Sequence, residues 1–114
     1  MNKSYKIQNL ESSTTYYYVI EKDFEIVRQL TEKLNSRSFY CLGVSLNAND
    51  LMEIIEGMLI RPSIIFIGIR NITKEIIDKM EIYANKYLFK ILLIDSDLSS
   101  FRHDYNLEYS VVAV

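Results

Sequence analysis

The sequence has few of the residues on which several classes of protein depend. Its one cysteine, Cys41, cannot form an internal disulfide, so nothing supports a secreted, disulfide-rich scaffold. No apolar run approaches the roughly 20 residues of a transmembrane helix, and the first thirteen residues lack the apolar segment of a signal peptide. None of the three glycines lies in a phosphate-binding loop motif. We therefore expect a cytoplasmic chain with no membrane partner and no cofactor.

An excess of basic residues is also missing. The 114-residue chain carries 13 Lys and Arg against 15 Asp and Glu, which gives a net charge of −2. A nucleic-acid surface needs clustered Lys and Arg to neutralise phosphates, so we expect no DNA contact by this chain itself. With 49% hydrophobic and 25% charged residues, the composition is that of one soluble globular domain.

Strand-like and helix-like patterns alternate along the chain. Runs rich in β-branched and aromatic residues predict five strands, over residues 16–20, 39–44, 64–68, 89–94 and 109–114. Apolar residues at three- and four-residue steps predict three intervening helices, which begin after Asp23, after Asn47 or Asn49, and after Asn71 or Thr73. This alternation predicts an α/β fold with a flavodoxin-like parallel sheet in the order 2-1-3-4-5.

Each predicted helix has one apolar face that we expect to be buried. The three faces consist of Phe24, Val27, Leu30 and Leu34; of Leu51, Ile54, Ile55, Met58 and Leu59; and of Ile76, Ile77, Met80, Tyr83, Ala84 and Tyr87. Pro62 is expected to end the second helix, because a proline disfavours the helical conformation of the residue before it. Residues 97–108 form a degenerate fourth helix of one turn at most, and the sequence ends without a final helix.

The pattern divides the chain into a polar leader, residues 1–15, and one domain, residues 16–114. A domain of this class normally covers its last strand with a helix. We therefore expect either that the native protein continues past Val114 or that a partner covers that face.

Chemistry in a sheet of this order takes place at the carboxyl ends of the strands. That edge is predicted to present Glu21 and Lys22, then Gly68, then Asp95, then Ala113. At these positions the chain resembles the receiver domain of bacterial response regulators, over most of its length from Tyr16 to Val114. Three runs take the places of receiver motifs: Val19-Ile20-Glu21-Lys22-Asp23-Phe24, Pro62-Ser63-Ile64-Ile65-Phe66-Ile67-Gly68-Ile69-Arg70, and Tyr109-Ser110-Val111-Val112-Ala113-Val114. The resemblance implies a receiver-like fold and a role in a two-component system.

The same comparison implies that the phosphorylation chemistry is lost. Receivers accept a phosphoryl group on an Asp where this chain has Gly68, and they neutralise it with a Lys where this chain has Ala113. Their metal-binding acid pair corresponds to Glu21 and Lys22, and an ammonium group repels a cation that needs several oxygen ligands. Their hydroxyl position is occupied by Asp95. We therefore interpret the chain as an atypical pseudo-receiver that is not an enzyme and binds no metal.

An internal ion pair between Lys22 and Asp95 is a candidate substitute for the metal and the phosphate. The leading hypothesis is a phosphorylation-independent regulatory domain of a transcription regulator, with the DNA-binding part outside this chain. Because receivers dimerise through their fourth helix, fifth strand and fifth helix, we expect a homodimer or a regulatory partner to bind residues 97–114. The candidate interface residues are Leu98, Phe101, Tyr105, Tyr109 and Val111.

Two other hypotheses remain open. The first is a stand-alone adaptor or partner-switching protein that does not bind DNA, which a natural reading frame ending at Val114 would favour. The second is a small-molecule-sensing domain that uses Glu21, Asp95 and Ser96. It lacks both a cofactor motif and a nucleophile–base pair.

Overall fold

A parallel β-sheet forms the centre of the protein. The computed structural model describes residues 14–35, 38–95 and 111–113. The strands are β1 (Thr15–Ile20), β2 (Phe39–Ser45), β3 (Ile64–Gly68), β4 (Lys90–Asp95) and β5 (Val111–Ala113), and the helices are α1 (Phe24–Leu34), α2 (Leu51–Gly57) and α3 (Lys74–Tyr87). A 3-10 turn at Ile69–Asn71 connects β3 to α3. The strands lie in the order β2-β1-β3-β4-β5, and each neighbouring pair is parallel.

The predicted α/β fold with a parallel sheet is confirmed. For β1 to β4 the strand boundaries differ from the predicted ones by at most one residue, and β1 begins at Thr15, inside the segment that the sequence assigns to the leader. Thr15 lies opposite Phe39 in the sheet, so this residue belongs to the domain. The predicted degenerate helix, residues 97–108, lies outside the described residues.

Helices cover the sheet on both faces, and successive side chains of each strand point alternately to these two faces. One face carries Ile65, Ile67 and Leu93, and the residues that pack on them from α2 and α3 are Leu51, Ile55, Ile77 and Met80. The other face carries Phe66 and Ile94, and the residues that cover it from α1 are Ile26, Val27 and Leu30. Burial from both sides explains why β3 is an uninterrupted apolar run in the sequence.

The predicted buried face of α1 is wrong at its first residue. Phe24 is 80% exposed, whereas Ile26, which the predicted face omits, is buried. Asp23 caps the helix, since its Oδ1 accepts a hydrogen bond from the backbone N–H of Glu25 at 2.9 Å. This cap makes Phe24 the first helical residue, at the rim of the sheet, where the core does not reach its side chain.

The prediction that Pro62 ends α2 is also wrong. The helix ends at Gly57, and Met58 already has an extended backbone with φ −80° and ψ 135°. As a result Leu59 is not part of the helical face and is fully exposed. The chain between Gly57 and β3 therefore crosses the amino-terminal edge of the sheet as a loop rather than as a helix.

The predicted helix caps are correct for α3 and wrong for α2. The hydroxyl of Thr73 accepts from the backbone N–H of Ile76 at 3.2 Å, which caps α3. At α2 the cap position is Asp50, which makes no side-chain capping bond. Asn47 instead closes a turn before the helix, because its Oδ1 accepts from the backbone N–H of Asn49 at 2.9 Å.

The hydroxyl of Tyr17 is buried, and among the described residues its nearest approach to a partner is a weak contact with the thiol of Cys41. The ring packs edge-on against Phe66 at 5.5 Å between centroids, while burial, with a smaller effect from Cys41, raises the pKa of the phenol to about 12. Tyr17→Phe removes this poorly paired hydroxyl and keeps the ring, so we expect the free energy of unfolding to rise by about 1 kcal/mol. Urea unfolding measures this change.

Tyr18→Phe is the matched control for that experiment. The hydroxyl of Tyr18 is hydrogen-bonded to the Oγ of Ser45, so its removal is expected to lower the free energy of unfolding by about 1 kcal/mol. The two substitutions delete the same atom from neighbouring residues and should act in opposite directions. A loss of stability in Tyr17→Phe equal to that in Tyr18→Phe would contradict the assignment.

Candidate functional site at the carboxyl edge of the sheet

The residues that the sequence places at the carboxyl edge lie on neighbouring strands. Glu21 directly follows β1, Gly68 ends β3 and Asp95 ends β4. Ile20 lies opposite Ile67 in the β1–β3 pair. Glu21 follows Ile20 and Gly68 follows Ile67, so these two residues are neighbours at the end of the pair. Asp95 lies opposite Ala113 of β5. The edge therefore has β3 at its centre, with one carboxylate residue on each side.

The carboxylate of Glu21 fills the space beside Gly68. A Cβ atom built on Gly68 would lie 1.9 Å from the Oε1 of Glu21 and 2.7 Å from its Cδ, far inside van der Waals contact. The backbone of Gly68 has φ −62° and ψ 129°, which any residue can adopt. Glycine is therefore required here for space and not for conformation. This position has no room for the side chain of a phosphoryl acceptor while Glu21 keeps its place.

Two backbone hydrogen bonds hold Glu21 in this position. Its own N–H donates to the carbonyl of Ser45 at 2.9 Å, which ties the end of β1 to β2. Its Oε2 accepts from the N–H of Asp23 at 3.0 Å, which folds the side chain back along the chain. The residue is only 5% exposed. A charged group with so little water needs such partners, because an unpaired buried charge is strongly unfavourable.

Asp95 is the second buried carboxylate of this edge. It is 2% exposed, and it and Glu21 are the charged residues that the described part of the chain buries. Charged side chains are rarely buried to this extent unless they are paired, and Asp95 does make polar contact. The sequence identified both residues as edge positions but gave no sign that either would be enclosed.

The candidate ion pair between Lys22 and Asp95 stays a prediction. Lys22 is exposed, whereas Asp95 is buried. Ion pairs on the outer surfaces of α1 and α3 include Arg28 with Glu25 and Glu32, Lys74 with Asp78, and Lys79 with Glu75. Glu21 turns inward over Gly68, and the next side chain, that of Lys22, lies in solvent.

The candidate interface residues fall largely beyond the described ranges. Leu98, Phe101, Tyr105 and Tyr109 lie outside the described residues. Val111 is the first residue of β5 and lies opposite Leu93 of β4. The predicted interface over residues 97–114 therefore stays a prediction.

Within 14–35, 38–95 and 111–113, no cluster of three or more His, Cys, Asp or Glu residues is arranged to hold a metal ion. No helix in the described ranges is long and apolar enough to span a membrane. Cys41 is half-buried, and burial raises the pKa of its thiol, so the reactive thiolate is disfavoured.

A groove lies between the start of α2 and α3, on the carboxyl side of the sheet but beside the edge carboxylates rather than over them. Its volume is about 250 Å³, and the residues that line it include Asn49, Met52, Ile76, Lys79 and Tyr83. Glu21, Gly68 and Asp95 are not among the lining residues. The groove therefore gives no support to a small-molecule site built on the edge carboxylates.

Comparison with known proteins defines the class of fold. No family model matches the sequence, and no curated protein matches it. Among solved structures, the chain is similar to one described as the PhyR stress response regulator, with a TM-score of 0.66 and 10% sequence identity. The similarity covers 96% of this chain and 45% of that chain, so this chain spans less than half the length of that protein. The likeness supports a receiver-like fold.

Proposed function

We propose that the chain is a regulatory domain that works without phosphorylation, within a response-regulator-like transcription regulator. It acts through dimerisation or contact with another protein, and the DNA-binding part lies outside this chain. The observation that carries the proposal is the carboxylate of Glu21 lying where a side chain at Gly68 would stand. The receiver-like fold and the likeness to a stress response regulator support the regulatory role.

The chemistry of the edge supports the absence of phosphoryl transfer. An acyl phosphate forms only if a carboxylate oxygen can approach the phosphorus of the donor, in line with the leaving group. Glu21 and Asp95 are 5% and 2% exposed, so neither carboxylate is open to a donor. The position that receivers use is a glycine, and its space is already taken. A bound phosphate would also be repelled by the two buried carboxylates.

Incubation with acetyl phosphate and Mg²⁺, and separately with beryllofluoride and Mg²⁺, tests this proposal. Intact mass and sedimentation velocity should be the same before and after treatment, because neither edge carboxylate is open to the donor. A phosphorylatable receiver treated in parallel is the positive control and should gain one phosphoryl group. Stoichiometric phosphorylation of this chain would overturn the proposal, as would a change in its oligomeric state on addition of beryllofluoride.

A further inference from the structure

The amino-terminal edge of the sheet, opposite Glu21 and Gly68, carries a group of exposed apolar side chains. Leu59 and Ile60 lie in the loop before β3, and Leu88 lies between α3 and β4. Leu59 is fully exposed, Leu88 is 83% exposed and Ile60 is half-exposed. We call these three residues the amino-edge patch. Exposed apolar residues that occur together, rather than singly, mark interaction sites.

The two loops that carry the patch lie side by side. The strands β3 and β4 are neighbours, and Ile64 lies opposite Lys90. The backbone N–H of Lys90 donates to the carbonyl of Ser63 at 2.8 Å, which joins the ends of the two loops. The guanidinium of Arg61 lies 5.0 Å from the ring centroid of Tyr87, the residue before Leu88. The segments that carry the patch therefore contact each other.

Leu88 has the left-handed conformation that ends α3, where the backbone N–H groups of Leu88 and Phe89 both donate to the carbonyl of Ala84. It lies just after the end of α3 with φ 59° and ψ 50°, the left-handed region in which glycine is preferred. A leucine there is strained, because its Cβ approaches the following carbonyl. Its side chain gains almost no burial in return. The end of the helix accounts for the backbone of Leu88, and its exposed side chain adds apolar surface to the patch.

Three cations lie in the two segments that carry the patch. Residues 57–63 and 85–90 include Arg61, Lys86 and Lys90 and no acidic residue, although the whole chain has a net charge of −2. Lys86 places its Nζ 5.2 Å from the ring centroid of Tyr87, the same ring that Arg61 covers. Contact with this ring holds both cations in place beside Leu88. Groups that are already ordered lose less entropy when a partner binds.

From these observations we propose that the amino-edge patch docks an acidic amphipathic segment of a partner protein. The apolar side of the segment packs on Leu59, Ile60 and Leu88, and its carboxylates lie against the three cations. A second copy of this chain fits poorly, because a two-fold contact would bring the same cations face to face. An anionic membrane is also disfavoured, since polybasic membrane sites use about 4–8 cations. The proposal concerns the edge opposite Glu21 and does not depend on the absence of phosphorylation.

Amide spectra of the full ¹⁵N-labelled chain test this docking. The probe is a synthetic helix with leucines along one side and glutamates along the other, and its control has lysines in place of the glutamates. We expect the glutamate peptide to shift the amides of residues 59–61 and 86–90, with an affinity that falls as salt rises. The lysine peptide should leave these amides unchanged.

Two pairs of variants separate contact from stability. Leu88→Gly removes the side chain and relieves the strain, so we expect roughly tenfold weaker peptide binding with an equal or higher melting temperature. Its control is Leu46→Ser, which removes a leucine that is also exposed but follows β2 at the other edge. Lys86→Glu should weaken binding, whereas Lys22→Glu, with the same change in net charge, should not.

Several results would overturn the proposal. These are equal shifts with both peptides, shifts confined to other residues, and unchanged affinity in Leu88→Gly. Binding to vesicles of equal parts phosphatidylcholine and phosphatidylserine without binding to the glutamate peptide would assign the patch to a membrane instead. Concentration-dependent self-association that Leu88→Gly abolishes, without peptide binding, would assign it to a second copy of the chain.

Discussion

Replacing Gly68 by alanine is expected to lower the free energy of unfolding by about 1–3 kcal/mol, the usual cost of inserting an atom into a filled core. The new Cβ would lie 1.9 Å from the Oε1 of Glu21, so the carboxylate has to move. Rotation into solvent relieves the overlap but breaks the hydrogen bond from the N–H of Asp23. Loss of that bond alone costs about 1 kcal/mol, which sets the lower end of the range.

Gly57→Ala is the control for the general effect of adding a methyl group. Gly57 is the last residue of α2, and no atom lies within 4 Å of the position that its Cβ would take. Alanine has the higher helix propensity, so this variant should gain up to about 1 kcal/mol. Chemical denaturation of both variants therefore compares one addition that meets an obstacle with one that meets none.

A double-mutant cycle tests whether the loss of stability in Gly68→Ala comes from the contact with Glu21. Glu21→Ala empties the space beside Gly68, so the second alanine should cost little in Glu21→Ala/Gly68→Ala. The two single changes are then expected to differ from additivity by about 1–3 kcal/mol, in the range found for residues in direct contact. If the costs simply add, Gly68 is not reserved for the Glu21 carboxylate, and the main support for the proposed function is lost.

The strands could be predicted closely and the ends of the helices could not. β3 could be predicted from its run of apolar, β-branched residues. A strand that is buried on both faces has no polar residue inside it, so the run is uninterrupted. The helical stripe correctly included Leu30 but also included Phe24 and Leu59, which are exposed. Periodicity identifies the side of a helix that is buried. It does not reveal that α2 stops at Gly57, because that depends on the backbone of Met58, which is extended.

The candidate site was predictable in its location and not in its geometry. Strand ends alone place Glu21, Gly68 and Asp95 at one edge, since parallel strands end together. The enclosure of Glu21 depends on the register of β1 against β3 and on one backbone N–H, that of Asp23. Neither is visible in the sequence, where Gly68 only indicates a missing acceptor. The same limit applies to Lys22, because its exposure next to the buried Glu21 cannot be inferred from its position at a strand end.

We expect a substitution at Gly43 to lower the stability at least as much as one at Gly68, because the neighbour of Gly43 is a rigid ring. Gly43 takes no part in the candidate site. The pairing of β1 with β2 shifts after Tyr17, so that Tyr18 lies opposite Gly43 and Leu42 has no partner. This is a β-bulge, which inserts one extra residue into an edge strand. The ring of Tyr18 crosses the place where a side chain on Gly43 would stand, and its hydroxyl reaches Ser45 farther along β2.

Gly43→Ala is therefore expected to cost about 1–3 kcal/mol, because its Cβ would lie 2.8 Å from the Cε1 of Tyr18. At Gly68 the obstacle is the end of a flexible side chain, whereas here it is a ring that is 5% exposed and cannot swing into solvent. Tyr18→Leu shortens the side chain at that point, so adding it to Gly43→Ala should cost less than the sum of the two single changes. Urea unfolding of the four proteins measures this coupling. Unchanged stability in Gly43→Ala would mean that the bulge leaves more room beside Tyr18 than the structure describes, and that glycine is not what allows β2 to bend around this ring.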